Sequence, residues 1–243
     1  TPGSSPRYEP ISVGDQSTVV AEFVRDAARA TGYQSEAELE AAFVELLEGQ
    51  AYEHLRIPSE AALVANVRAQ LEALNAIELR DREWQPFFAE KIAGANEGIA
   101  EKTARIQEGH VQVLVRDDGT TKNVRLIDKQ NIHRNRLQVI NQYEVPASTT
   151  GADGVPSPGG SQANRYDVTV LVNGLPLVHV ELKRRGVDIR EAFNQINRYQ
   201  RDSFWASLGL FEYVQIFVIS NGTHTKYYSN TTRNAHIKEQ GDS

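Results

Sequence analysis

The 243-residue sequence contains no cysteine and no methionine. Without cysteine it can build neither a disulfide framework nor a thiolate metal site, which suits a reducing compartment. Without methionine it is expected to be a piece of a longer or processed chain. No apolar run approaches the length of a membrane span, and the start, TPGSSPRYEP, has none of the charged and apolar regions of a signal peptide. A soluble, cytoplasmic protein with no membrane partner is expected. The six histidines, His54, His110, His133, His179, His224 and His236, fall in neither H-x-x-x-H nor H-E-x-x-H spacing, which argues against zinc. No G-x-x-x-x-G-K-[ST] phosphate loop occurs, so ATP hydrolysis is not expected of this stretch.

Positive charge is also scarce. The net charge of −6 disfavours a general nucleic-acid binder. The deficit is uneven, however: residues 1–160 carry 16 basic and 24 acidic side chains, whereas residues 161–243 carry 10 and 8. A phosphate-facing surface is therefore expected in the C-terminal third.

What is present centres on Asn164 to Gly186, NRYDVTVLVNGLPLVHVELKRRG. Two runs dense in β-branched residues, Tyr166 to Val172 and Leu177 to Leu182, flank Asn-Gly-Leu-Pro, a hairpin signature. Strict alternation sets Asp167 opposite Tyr166, Val168, Val170 and Val172, and gives Glu181 and Lys183 a face that Val178, Val180 and Leu182 do not share. Burying an unpaired carboxylate is costly, so two carboxylates in such a strand pair call for cations. Lys183 is one, and a metal is the other. An acid followed fourteen positions later by Glu-x-Lys suits magnesium-assisted phosphodiester hydrolysis, with Asp167 and Glu181 as hard oxygen ligands and Lys183 orienting water or stabilising developing charge. A surface strand with an exposed Glu–Lys pair would use the same three residues, so context must decide. His179 shares the strand parity of Glu181 and is read as a neighbour of the site.

A lead-in is expected over residues 1–34. A helix follows from Ser35 to Gly49, with a Ser35/Glu38 capping box, Gly49 as C-cap and an apolar arc of Leu39, Phe43, Val44, Leu46 and Leu47. Glu40 falls inside that arc, which makes it a candidate third acid at the metal site; a glutamate whose stem merely covers apolar surface stays open as the alternative. A short strand is expected near Tyr52 to Ile57, then a helix from Ser59 to about Asn75 with Leu63, Val67, Leu71 and Leu74 as its core stripe. Trp84, Phe87 and Phe88 read as packing. A polar helix over Ala95 to Gln107, a hairpin of Val111 to Val115 and Val124 to Ile127 around a DDG turn, and a strand at Leu137 to Val145 come next. Residues 146–163, PASTTGADGVPSPGGSQA, form a loop by composition. A helix over Asp188 to Phe204 carries Ile189, Phe193 and Ile196 on its apolar stripe and Gln195 and Tyr199 one turn apart on the flank. Strands at Tyr213 to Ser220 and Thr225 to Ser229, turning at Asn221-Gly222, complete an α/β protein built on a mixed sheet flanked by helices. Arg184 and Arg185, at the end of the Lys183 strand, and Arg198 and Arg201, on the Gln195 helix, are candidate contacts to DNA phosphates, although solvated arginines at such places are common.

With NRYDVTVLVNGLPLVHVELKRRG, REAFNQINRYQRDSF and FVISNGT in view, the chain resembles the N-terminal nuclease domain of the R subunit of type I restriction enzymes, a branch of the PD-(D/E)xK nuclease superfamily. The resemblance runs from the Ser35 helix through Thr223-His224-Thr225. It implies a restriction-endonuclease-like fold over residues 35–243, magnesium bound by Asp167 and Glu181, and cleavage of double-stranded DNA supported by Lys183. It further implies a role for Glu40 as the early helical acid, and for Gln195 and Tyr199 as the Q-x-x-x-Y element shared with RecB-like nucleases. Tyr166 stands where the superfamily has proline, which is not a ligand. The family's ATP-driven motor lies outside this stretch, and methylation and specificity subunits are its implied partners. A stand-alone repair or junction nuclease of the same superfamily, and a non-catalytic docking domain of a DNA motor, remain the alternatives.

Overall fold

The central hairpin turns on two residues that both adopt left-handed backbone. Asn173 has φ +52° and Gly174 φ +81°, the conformation of the Asn-Gly hairpin turn. The expected four-residue connection is therefore shorter: β7 (Asn164–Val172) runs directly into β8 (Leu175–Leu182), and Leu175 and Pro176 belong to the strand. Pro176 is tolerated because the register slips between Val170 and Leu171, at an irregularity that spares one rung of the ladder. Glycine at 174 is required twice over, since a Cβ there would also stand 2.7 Å from the Val67 Cα of the helix beneath.

The computed structural model describes residues 8–12, 20–24, 34–94, 97–145, 164–202 and 207–230. The main sheet also contains β1 (Tyr8–Ser12), β2 (Val20–Val24), β3 (Glu53–Leu55), β6 (Leu137–Val145), β9 (Ile216–Ser220) and β10 (His224–Ser229), in the order β1-β2-β10-β9-β8-β7-β6-β3. Pairing is parallel at β8/β9 and β3/β6 and antiparallel elsewhere, so the sheet is mixed and the fold is the restriction-endonuclease-like α/β architecture. Residues 1–34, expected as a lead-in, thus supply two strands at one sheet edge. The Val111 hairpin forms a separate ribbon of β4 (Val111–Val115) and β5 (Thr121–Arg125), the second strand starting earlier than expected. Residues 146–163 lie outside the described residues.

Helices cover both faces. On one lies α1 (Glu36–Glu48), started by the expected capping box, with Glu38 N–H donating to Ser35 Oγ at 3.2 Å and Ser35 N–H to Glu38 Oε2 at 2.8 Å. Val44 and Leu47 pack on Val139, Val168, Val170, Val180 and Leu182. Leu46, placed in the apolar arc by periodicity, is instead 58% exposed, because Val44 and Leu47 with Glu40 suffice to fill the contact. On the other face, α2 (Glu60–Asn75) buries Leu63, Val67, Leu71 and Leu74 as its spacing predicts, joined by Trp84 and Phe87 of α3 (Asp81–Phe87) and by the following Phe88. The polar helix α4 begins only at Ile99, after Gly98, and ends at Gln107. The last helix, α5 (Ile189–Asp202), seats Ala192 and Ile196 in the same core. Tyr213 and Val214 precede β9 instead of belonging to it, since residues 207–213 coil into a 3-10 segment.

Candidate active site

Strict alternation fails at one rung of the sheet, and Asp167 sits on it. In β6, Val139 belongs to the α1 cluster and Ile140 to the opposite one; Asn141 pairs with Val168 and Tyr143 with Tyr166. Regular pleating would return Tyr143 and Tyr166 to the α1 face, yet both lie in the opposite cluster, packed around Phe211 in tilted and edge-on contacts. The phase slips at the intervening rung, Gln142 across from Asp167, and Gln142 marks it with φ +53°. A left-handed conformation costs a non-glycine residue about 1–2 kcal/mol. The simple face assignment for Asp167 is accordingly corrected: it belongs to neither apolar face. Its Oδ2 accepts the Leu182 N–H at 2.9 Å, and so it reaches across to the end of β8.

There the Glu-x-Lys pair completes the cluster. Glu181 is fully buried, and the Lys183 Nζ, itself buried, donates to Glu181 Oε1 at 3.1 Å. Glu181 Oε2 accepts no hydrogen bond and stands 3.5 Å from His179 Nε2. Burial pushes the Asp167 carboxyl up to about 7; the charge of Glu181 reinforces the rise and that of Glu40 adds to it, while the Leu182 N–H and the Lys183 ammonium oppose it. The charges of Glu181, Lys183 and Glu40 thus all act on Asp167, and Lys183 pairs with Glu181, where the β7/β8 pairing ends. The reading of these strand residues as a solvated surface pair does not hold, since Glu181 and Lys183 are buried.

Glu40 is 8% exposed, on the buried side of α1 as its position in the arc predicts. Its Oε1 accepts the Asn141 Nδ2 at 2.6 Å, and its Oε2 accepts the Gln142 amide. Sequence reasoning overlooked these two amides. Their signature is the pair of polar residues that interrupts LQVINQYEV, together with the His54 Nε2 that lies 2.9 Å from Asn141 Oδ1.

The remaining candidates are placed as follows. Gln195 is half-buried on α5, and the backbone of Arg198, Tyr199 and Arg201 continues the same helix; those three side chains lie outside the described residues. Arg184 is exposed, and its N–H approaches Glu36 Oε1 at 3.4 Å. Arg185 has a buried Nε without a hydrogen bond and lies against the Gly222 turn, where a Cβ would come 3.5 Å from it. A cavity of about 550 Å³ opens beside these arginines, lined by Gly186 to Ile189, Asn221, Thr223 and His224.

Among the described residues no three His, Cys, Asp or Glu side chains are gathered closely enough to enclose a metal ion by themselves. What is present is a buried carboxylate with one oxygen that accepts no hydrogen bond, beside a second carboxyl pushed up to about 7 by burial and, after that, by the first one's charge. That donor set fits a hard divalent cation taken by two carboxylates and completed by water and phosphate oxygens, as magnesium is usually held.

Residues 33–236 match the family described as the type I restriction enzyme R protein N terminus. The chain is 43% identical over 226 residues to the type I restriction enzyme EcoprrI endonuclease subunit of Escherichia coli, covering 93% of this chain and 68% of that protein. It is 40% identical over 203 residues to the SsaAORF53P endonuclease subunit of Staphylococcus saprophyticus, covering 82% of this chain and 20% of that one. A putative type I endonuclease subunit of Methanocaldococcus jannaschii is 32% identical over 114 residues, 46% of this chain and 10% of its own length. The chain therefore spans about two thirds of one such relative and only a fifth or less of the others. By a family match that covers most of its length and by its identity to these subunits, the chain belongs to the family of type I restriction enzyme R protein N termini.

Proposed function

We propose that this chain is the nuclease unit of a type I restriction R protein, a magnesium-dependent endonuclease acting on double-stranded DNA. The observation that carries the reading is the buried cluster at the end of β7 and β8: Asp167 pushed up to about 7 beside Glu181, and Lys183 3.1 Å from Glu181 Oε1. Such a cluster is expensive to maintain without a cation and well matched to one. Asp167 and Glu181 hold the ion, with Glu40 as the third acid. When bound, magnesium supplies Lewis acidity toward the phosphodiester and offsets charge on the leaving oxygen. Lys183 places its ammonium beside the reacting phosphate, where it orients the attacking water and stabilises developing negative charge. Gln195 and Tyr199, one helical turn apart on α5, hold the DNA strand, and Arg184, Arg185 and Arg198 take backbone phosphates. The proposed setting is the cytoplasmic restriction complex with methylation and specificity subunits, with ATP consumed by motor domains elsewhere in the R protein; among the described residues no helix is long and apolar enough to cross a membrane.

The test is cleavage of unmodified plasmid by the complete R protein assembled with its partner subunits. Glu181→Gln and Lys183→Ala are each expected to abolish cutting while assembly and ATP hydrolysis persist. Undiminished cutting by both variants would sink the reading and favour a docking domain.

A further inference from the structure

Gln142 carries a conformation that its residue type disfavours, within β6 of the main sheet, at the rung between the Asn141/Val168 and Tyr143/Tyr166 pairs where Asp167 lies. Regular pleating would point the Gln142 side chain away from α1; the left-handed twist turns it onto Glu40, where its amide and that of Asn141 take one carboxylate oxygen each. We propose that Asn141 and Gln142 are positioning residues which hold the Glu40 carboxylate in one orientation toward the divalent-cation site of Asp167 and Glu181. The proposal rests on the metal-dependent reading above. It gains a separate footing from Glu181 Oε2, a fully buried oxygen that accepts no hydrogen bond at the same centre.

Two amide donors, one on each oxygen, stop the carboxylate from rotating yet leave each oxygen a free lone pair for a cation. His54 supports the arrangement: its Nε2 meets Asn141 Oδ1 at 2.9 Å, which leaves the NH₂ end of that amide for Glu40. If the amides served only to satisfy a buried acid, the strand could remain regular, with Asn141 as donor and water as the second, and no left-handed residue would be needed. Strain retained at one rung beside an acid cluster is the signature of an imposed geometry. Outer groups that orient metal ligands typically change metal affinity by about 10- to 100-fold when removed.

The experiment is a Mn²⁺ titration of this chain without DNA, reading free Mn²⁺ by electron paramagnetic resonance, alongside urea unfolding of the metal-free protein. Gln142→Gly is expected to bind Mn²⁺ about tenfold more weakly while the metal-free chain keeps a single cooperative urea transition, because glycine accepts φ +53° without strain. Glu40→Gln should weaken binding at least as much, and the double variant no further than Glu40→Gln alone. Gln142→Asn, which tolerates the same backbone but shortens the amide's reach, should behave like the glycine variant and substitutes for it if that chain does not fold. Wild-type affinity in both Gln142 variants, or losses that add fully to those of Glu40→Gln, overturns the positioning role. An Asp167→Asn, Glu181→Gln double variant reports separately: if it binds Mn²⁺ as the wild type does, the metal reading itself falls and takes the proposal with it.

Discussion

Two kinds of buried carboxylate stand within this one chain. Glu83 and Asp128 are buried and fully answered by donors. Glu83 accepts the Asp117 and Arg80 N–H groups, both at 3.0 Å, and forms an ion pair with Arg116 Nε at 3.1 Å; Asp128 accepts the Gln130 and Asn131 N–H groups and the Arg134 guanidinium. Those backbone donors hold both carboxyls below the usual carboxylate range. At the β7/β8 divergence the logic is reversed. Asp167 has one backbone donor and two carboxylates acting on it, Glu181 keeps an oxygen that accepts no hydrogen bond, and Asp167 is pushed up to about 7. Acids that hold the fold together are saturated with N–H groups. Asp167 and Glu181 are left short of positive charge, a shortage that the proposed ion and substrate would make good.

Four measurements break or sharpen this contrast. The largest effect is expected in cleavage: Lys183→Ala in the complete enzyme should lower the rate by at least about 100- to 1000-fold, read as linearised plasmid per unit time, with assembly and ATP hydrolysis persisting.

Next is the pH dependence of stability without metal. Asp167 titrates near 7 when folded against 3.8 unfolded, so folding favours its neutral form; that contribution is whole below about pH 4 and is lost as pH rises through about 7. Asp167→Asn removes the loss and should stabilise the metal-free chain by about 2–4 kcal/mol at pH 8 relative to wild type, and by nothing at pH 3. Urea unfolding at the two pH values checks it, and a variant destabilised at pH 8 would contradict the raised carboxyl.

Asp128→Asn should do the opposite. A lowered carboxyl stabilises above its unfolded titration range and loses that stability as pH falls through its folded one, so this variant should melt earlier than wild type at pH 7 and together with it near pH 2. Thermal scans at both pH values decide. The smallest effect is assigned to Arg184→Ala on the exposed strand end, which should weaken DNA binding severalfold and reduce the slope of log affinity against log salt by about 1. Binding to a fluorescent duplex over a salt series measures it.

Much of this molecule was legible before any coordinates. The Ser35 and Ser59 caps, the Leu63/Val67/Leu71/Leu74 stripe and the Leu137 to Val145 strand all follow from local periodicity and capping chemistry, and they stand where expected. Glu40 was singled out by its place inside an apolar arc, and the β7/β8 hairpin by Asn-Gly. Local rules misplaced Leu46 because an arc drawn at 100° per residue does not say how wide the neighbour is, and the sheet under α1 is covered by Val44 and Leu47. They also missed β1 and β2, whose pairing depends on β10, some two hundred residues away in sequence.

The sequence by itself determined which residue types were available for chemistry: two acids and a lysine in strands that bury their flanks, a third acid on a helix face, and no thiolate or histidine set to compete for a metal. Only the tertiary structure decided how they are set: Lys183 reaches Glu181, and Asp167 feels the charges of Glu181, Lys183 and Glu40. Alternation is a property of one regular strand, and it places Asp167 on a face; the slip at the Gln142/Asp167 rung arises from packing Tyr143 and Tyr166 around Phe211 on one side while Glu40 claims two amides on the other. No single strand carries that information, because the cost of the left-handed residue is borne by one element and its benefit is collected by another.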